Sequence, residues 1–226
     1  MALPHGMAIK YHLKDGGETD MVLNSLKFFP VADGAGFRDL LLAIAASPPS
    51  APKPTKLDLF FKSHPAAPAA LGSAAPIDSF ADEQYNGVDA FVFVDKSGKK
   101  QPIRYIMAPE KLVHIDPAEA AKKKPDYLID ELTARLGKGP VIFHLKAQLA
   151  APGDSTKDPT QPWPADRKVV DLAVLTIDKV DPDSLAAQKK LLFLPGALLP
   201  GIEESDDPLI DVRDGAYVVS FGRRSQ

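Results

Sequence analysis

The chain has no cysteine and a single tryptophan among its 226 residues. The first absence removes disulfides, thiolate metal sites and cysteine nucleophiles from consideration. It leaves the redox compartment open, because a cysteine-free chain suits oxidising and reducing surroundings alike. The net charge is small as well: the formal value is −3 and the pI about 6.0. Neither nucleic acid nor anionic lipid is generally attracted to such a chain, so neither a nucleic acid nor a membrane is expected as its partner. Apolar runs stop far short of the roughly 20 residues that span a bilayer. Residues 1–6 lack the charged-then-apolar plan of a signal peptide, so the chain reads as soluble and untargeted as written, cytoplasmic unless an upstream leader sends it to a periplasm. No GxGxxG, P-loop or HExxH motif and no internal repeat occurs.

What is present is 45 % hydrophobic, enough for one sizeable core. One domain over residues 1–226 is expected, with residues 48–76 as a proline- and alanine-rich surface excursion that carries a short helical island at Leu57–Phe61. Alternating faces predict strands over Met7–Leu13 and Met21–Phe29, joined at Asp15-Gly16-Gly17, with Asn24 near the middle of the second. Further strands are predicted at Gly87–Val94, Gln101–Met107, Pro140–Gln148 and Val169–Val180, and helices at 36–46 and Asp126–Leu136. Six strands in antiparallel neighbour pairs, with helices gathered toward the C-terminus, describe an α+β chain built on a barrel or strongly curled sheet.

The most informative stretch is the last, Ser205–Arg224. Ser205, Asp206, Asp207 and Pro208 read as a helix start, and at about 100° per residue Arg213, Tyr217, Ser220 and Arg224 form one stripe flanked by apolar residues. A solvated basic stripe is the plain reading. The order of residues carries a second one: an arginine one turn before a tyrosine favours the phenolate, a hard anionic ligand for ferric iron. The other charged runs, Lys122–Lys124 and Glu203–Asp207, read as solvated faces and helix-end charges. Five histidines, at 5, 12, 64, 114 and 144, show no metal-ligand spacing, and Asp89, Asp95, Asp130 and Glu131 are acid–base candidates only as in any globular chain.

Arg213-x-x-x-Tyr217, preceded by Pro200-Gly201-Ile202-Glu203, resembles the proximal segment of haem catalases, in particular the smaller bacterial catalase-related peroxidases. Asp158-x-Thr160-x-x-Trp163-Pro164 is similar to that family's D-x-T-x-x-W-P, and the strand around Asn24 to the one carrying its distal asparagine. The blocks occur in family order along essentially the whole chain. The resemblance implies a catalase-like antiparallel β-barrel with C-terminal helices, the last carrying the haem ligand. It implies haem b (iron protoporphyrin IX) as cofactor, Tyr217 as iron ligand, Arg213 as its counter-charge, Arg224 on a haem propionate and Asn24 orienting the peroxide. Partners would be a peroxide substrate and an electron donor that the sequence does not identify.

The match begins almost at Met1, at Pro4-His-Gly-Met-Ala8, whereas the family's distal histidine lies on an arm and strand before that segment. The expectation is therefore a barrel without its first strand or strands and without that histidine; His5 takes the place of a non-catalytic residue. Such an open edge would suit pairing with another copy of the chain. The alternative function is a catalytically impaired barrel that binds haem or another apolar ligand.

Overall fold

Where turn signals interrupt the alternating pattern, the chain folds back into antiparallel ladders. The computed structural model describes residues 3–225. Strand β1 (Gly6–His12) pairs with β2 (Glu18–Asn24) from Gly6 opposite Asn24 to His12 opposite Glu18. The turn between them uses Gly16 at φ 87°, a left-handed conformation that favours glycine. Strand β2 begins and ends earlier than its alternation predicts, so Asn24 is its last residue and not its middle. The cause is local: Asn24 Oδ1 accepts the Leu26 N–H at 2.8 Å, and this side-chain bond replaces the ladder.

Helix α1 (Gly34–Ala45) starts where the Asp33 side chain accepts the Gly36 N–H. The proline- and alanine-rich stretch holds α2 (Lys56–Ser63), opened by a Thr55–Asp58 capping box, and α3 (Ala66–Leu71). Ala67 and Ala70 have no exposed surface, which pins this stretch to the rest of the molecule. Of the strand predicted from Gly87 to Val94 only the second half forms, as β4 (Phe91–Val94); β3 (Tyr85–Asn86) lies just before the predicted start, and residues 87–90 fall between the two strands. Both strands pair with β5 (Lys100–Pro109), Asn86 opposite Ile106 and Phe91 opposite Ile103. Residues 87–90 thus face only 104 and 105, an enlarged bulge.

The chain continues through α4 (Pro117–Ala120) and α5 (Tyr127–Leu136) to β6 (Val141–Leu149) and β7 (Val169–Ile177). It then forms α6 (Ser184–Lys190), the short β8 (Ile202–Glu204) and α7 (Leu209–Arg224). Strand β6 lies on the other edge of β5 and carries β7, while β8 pairs with β4. Together they make a curled antiparallel sheet, half of a barrel, with helices following it, so the α+β expectation holds. Among the described residues β1 and β7 each have one neighbour. Ile103 and Met107 of β5 and Phe143 and Ala147 of β6 alternate onto one face, where Tyr85, Leu136 and Ile210 complete the core. No helix among the described residues is long and apolar enough to cross a membrane.

Candidate functional site

Helix α7 begins three residues later than its capping sequence suggests, with Pro208 and not Ser205 at the cap. Ser205 Oγ accepts the Asp207 N–H at 3.2 Å and Asp207 Oδ1 accepts the Leu209 N–H at 2.9 Å, so the two oxygens satisfy the approach to the helix in relay. Leu209 and Ile210 are buried and anchor the first turn in the core, whereas most of the later turns are exposed. The crossover at 154–167 clamps this start: Ser205 donates to the Thr156 carbonyl at 3.0 Å and Thr156 donates to Asp206 at 2.8 Å.

One turn in, Arg213 Nε donates to Tyr217 Oη at 3.2 Å. The other guanidinium nitrogens reach across the sheet, Nη2 to the Val22 carbonyl of β2 at 3.3 Å and Nη1 to the Asp89 carboxylate in the bulge. Burial works to lower the Arg213 pKa, but Asp89 and Tyr217 outweigh it and hold the pKa above the ordinary arginine value, so the cation persists. Burial pushes the Tyr105 phenol up to about 12 and raises Tyr11 and Tyr85 as well, which keeps those three neutral.

Arg213, Tyr217 and Asn24 line one cleft of about 590 Å³ between α1 and α7. Its walls are apolar: Phe29, Phe37, Leu41, Leu42 and Val212 contribute, and of these Leu41, Leu42 and Val212 are 51 %, 61 % and 47 % exposed. Apolar surface turned to an open cleft, with a few convergent polar groups, is how small-molecule and cofactor sites are built. At its inner end the two helices touch through Gly34, where a Cβ would stand 2.6 Å from Val212 Cγ1.

The structure separates Arg224 from this group. It lies at the exposed end of α7, with Nη1 donating to the Gln188 carbonyl at 2.8 Å and Nη2 to the Leu191 carbonyl at 3.2 Å, which caps the end of α6. His12 is exposed beside Glu18, and His64 closes α2 stacked on Phe60 at 3.9 Å. Trp163 is 6 % exposed, donates Nε1–H to the Ser155 carbonyl at 2.7 Å, and carries the Arg104 guanidinium 4.7 Å above its ring.

Two carboxylates behind Arg213 are given no particular role by the sequence. Asp89 is 2 % exposed and Asp207 is 5 % exposed, so the expectation of a solvated acidic run at Glu203–Asp207 fails at its last residue. Burial first, and then the charge of Asp89, pushes the Asp207 carboxyl up to about 7. Arg104 and Arg213 face the pair and offset part of that effect. The signal that could have revealed Asp89 is an acid inside the apolar run Gly87–Val94, which is unfavourable unless the backbone turns it toward a cation.

The family model described as catalase matches residues 3–224. A catalase-related peroxidase of Mycolicibacterium paratuberculosis is 32 % identical over 225 residues, 97 % of this chain and 71 % of that protein. Its counterpart in Synechococcus elongatus is 30 % identical over 228 residues, covering 99 % of this chain and 67 % of that one. A fungal catalase crystal structure matches the fold with a TM-score of 0.85 at 19 % identity, over 98 % of this chain and 48 % of that chain. A bacterial catalase structure matches at 0.82 and 20 %, over 98 % and 46 %, so this chain spans about half the length of either solved relative. From the matched segment, the half-barrel sheet and these relatives it follows that the chain belongs to the catalase family.

Proposed function

We propose that the chain is a haem-dependent peroxidase that breaks down hydrogen peroxide or small organic peroxides, with haem b in the α1–α7 cleft and Tyr217 as the iron ligand. One observation carries the reading: an apolar cleft into whose lining come both a phenol held by a guanidinium and the amide of Asn24. These residues fit the group, since apolar walls suit a macrocycle and an anionic oxygen suits ferric iron. When bound, haem supplies the redox chemistry that cleaves the peroxide O–O bond.

The protein's own part is electrostatic and positional. Arg213 holds the phenol oxygen in place with its Nε–H and sets a positive charge beside it. Because Asn24 Oδ1 is occupied by the Leu26 N–H, its Nδ2 hydrogens are the ones available to orient a peroxide oxygen. The apolar walls offer no competing hydrogen-bond partner to that encounter. Arg224 is the candidate partner of a haem propionate, with two of its N–H donors already on the Gln188 and Leu191 carbonyls at the end of α6.

A second reading, a binding module for an apolar ligand, draws on a separate cavity of about 250 Å³ inside the half-barrel, lined by Tyr11, Leu23, Phe91, Phe93 and Leu198. Reconstitution with haem distinguishes the two. The wild type is expected to take up ferric haem and Tyr217→Phe, which keeps the ring and removes the oxygen, to lose it or bind it with an altered spectrum. A Tyr217→Phe spectrum identical to wild type would overturn the assignment and leave the solvated stripe.

A further inference from the structure

Arg213 has three anchors of unequal strength. Its bonds to the Val22 carbonyl at 3.3 Å and to Tyr217 Oη at 3.2 Å lie at the long end of the N–H···O range. Its contact with Asp89 is the close one, between opposite charges that are 12 % and 2 % exposed at the side chain. A guanidinium is planar, so once Nη1 is fixed on Asp89 and Nη2 is near Val22, the direction of Nε follows. That direction is toward the phenol.

The backbone is shaped to make this contact. Residues 87–90 are all buried; the Gly87 N–H still donates to the Tyr105 carbonyl at 2.8 Å, but residues 88–90 lie outside the strand pairing, and the surplus over 104 and 105 turns Asp89 out of the β3–β4 line toward α7. Gly87 permits the close pass, since a Cβ there would stand 3.2 Å from Tyr105 Cβ. Bulges that re-aim one side chain are a recurrent device beside functional sites.

We propose that Asp89 is a positioning residue for Tyr217, fixing the Arg213 guanidinium so that its Nε–H points at the phenol oxygen. This rests on the reading of Tyr217 as the iron ligand for its functional meaning, but its geometry is testable without haem. The charged groups facing Arg213 are Asp89 from the bulge, Tyr217 and Asp214 from its own helix, and Asp207 from the approach to α7. Among these carboxylates Asp89 is the one hydrogen-bonded to Arg213.

The test follows the Arg213 Nε–H resonance in ¹⁵N-labelled apo-protein, assigned by its loss in Arg213→Lys, and then the ferric absorption bands after haem loading. In Asp89→Asn the Nε–H is expected to exchange with water roughly ten-fold faster or more, the factor that losing one charge-assisted hydrogen bond allows. Asp89→Glu is expected to retain slow exchange. Asp207→Asn, which leaves the Asp89–Arg213 contact intact, is expected to behave as wild type and keeps the question answerable if Asp89→Asn does not fold. With haem, the bands should shift in Asp89→Asn and return in Asp89→Glu. Unchanged exchange in Asp89→Asn, or release of Nε–H in Asp207→Asn, overturns the proposal. Release in Asp89→Asn together with a wild type that takes up no haem upholds the positioning role and removes the haem reading instead.

Discussion

Helix α7 carries an arginine near each end, and the two ends of the helix are different places. The first turns are inside the protein: Leu209 and Ile210 sit in the core and Arg213 bonds a carboxylate, a strand carbonyl and a phenol. The last turns lie on the surface, where Arg224 bonds two backbone carbonyls at the end of a short helix. The residue type is the same, but burial removes water as a competitor at one end and keeps it at the other. A side-chain network is thereby enforced around Arg213, while Arg224 supplies an interchangeable cap.

Arg213→Leu should show the largest effect, because it strands Asp89 as an unpaired buried charge. A loss of about 3–5 kcal/mol in denaturant unfolding is expected, and in the haem-loaded protein the absorption bands should shift. A loss below 1 kcal/mol would erase the distinction between the two ends of the helix. Trp163→Ala should cost a comparable amount, about 3–5 kcal/mol by thermal or chemical unfolding, since the buried indole supports both Arg104 and the crossover that clamps the start of α7. Unchanged melting would show that the clamp holds without it.

Asp207→Asn sharpens the contrast through pH. The folded carboxyl titrates at about 7, above its unfolded value, so the folded state holds the extra proton between the two values and loses stability as pH rises from about 4 to about 7. The variant lacks that loss. Relative to wild type it should gain up to roughly 3 kcal/mol across this window and remain level above it, measured by unfolding at several pH values. A difference independent of pH would place Asp207 in water. The smallest effect belongs to Arg224→Leu, which should change stability by less than about 1 kcal/mol. A drop in haem affinity at unchanged stability would extend the site to the outer end of the helix.

Much of this was legible in the sequence wherever a local pattern decides the outcome. Alternation marks β1, β5, β6 and β7, Ser47-Pro48-Pro49 ends α1 nearly where it stops, and the order Arg213-x-x-x-Tyr217 places guanidinium and phenol on one helical face. What was hidden depends on distant partners. Asp89 lies within a run that reads as continuous strand, and nothing local shows that four of its residues face only two; its partner stands 124 positions away. Asp207 looks like one more acid at a helix start, until the core closes over it. Apolar residues after Asn24 put it mid-strand by pattern, whereas its own side chain ends the ladder by bonding Leu26.

The contact at Gly34 has a mechanical meaning. With only hydrogen on that Cα, α1 rests directly on the methyl groups of Val212, and the two helices behave as jaws whose closed stop is one atom deep. The gape of the cleft at Tyr217 is therefore set at a fulcrum one turn away and not by the side chains that line the mouth. Leu41 and Leu42 at the mouth do not set that spacing; a Cβ at position 34 would alter it, because it would press on Val212 Cγ1 at 2.6 Å and push the jaws apart or force Val212 to turn.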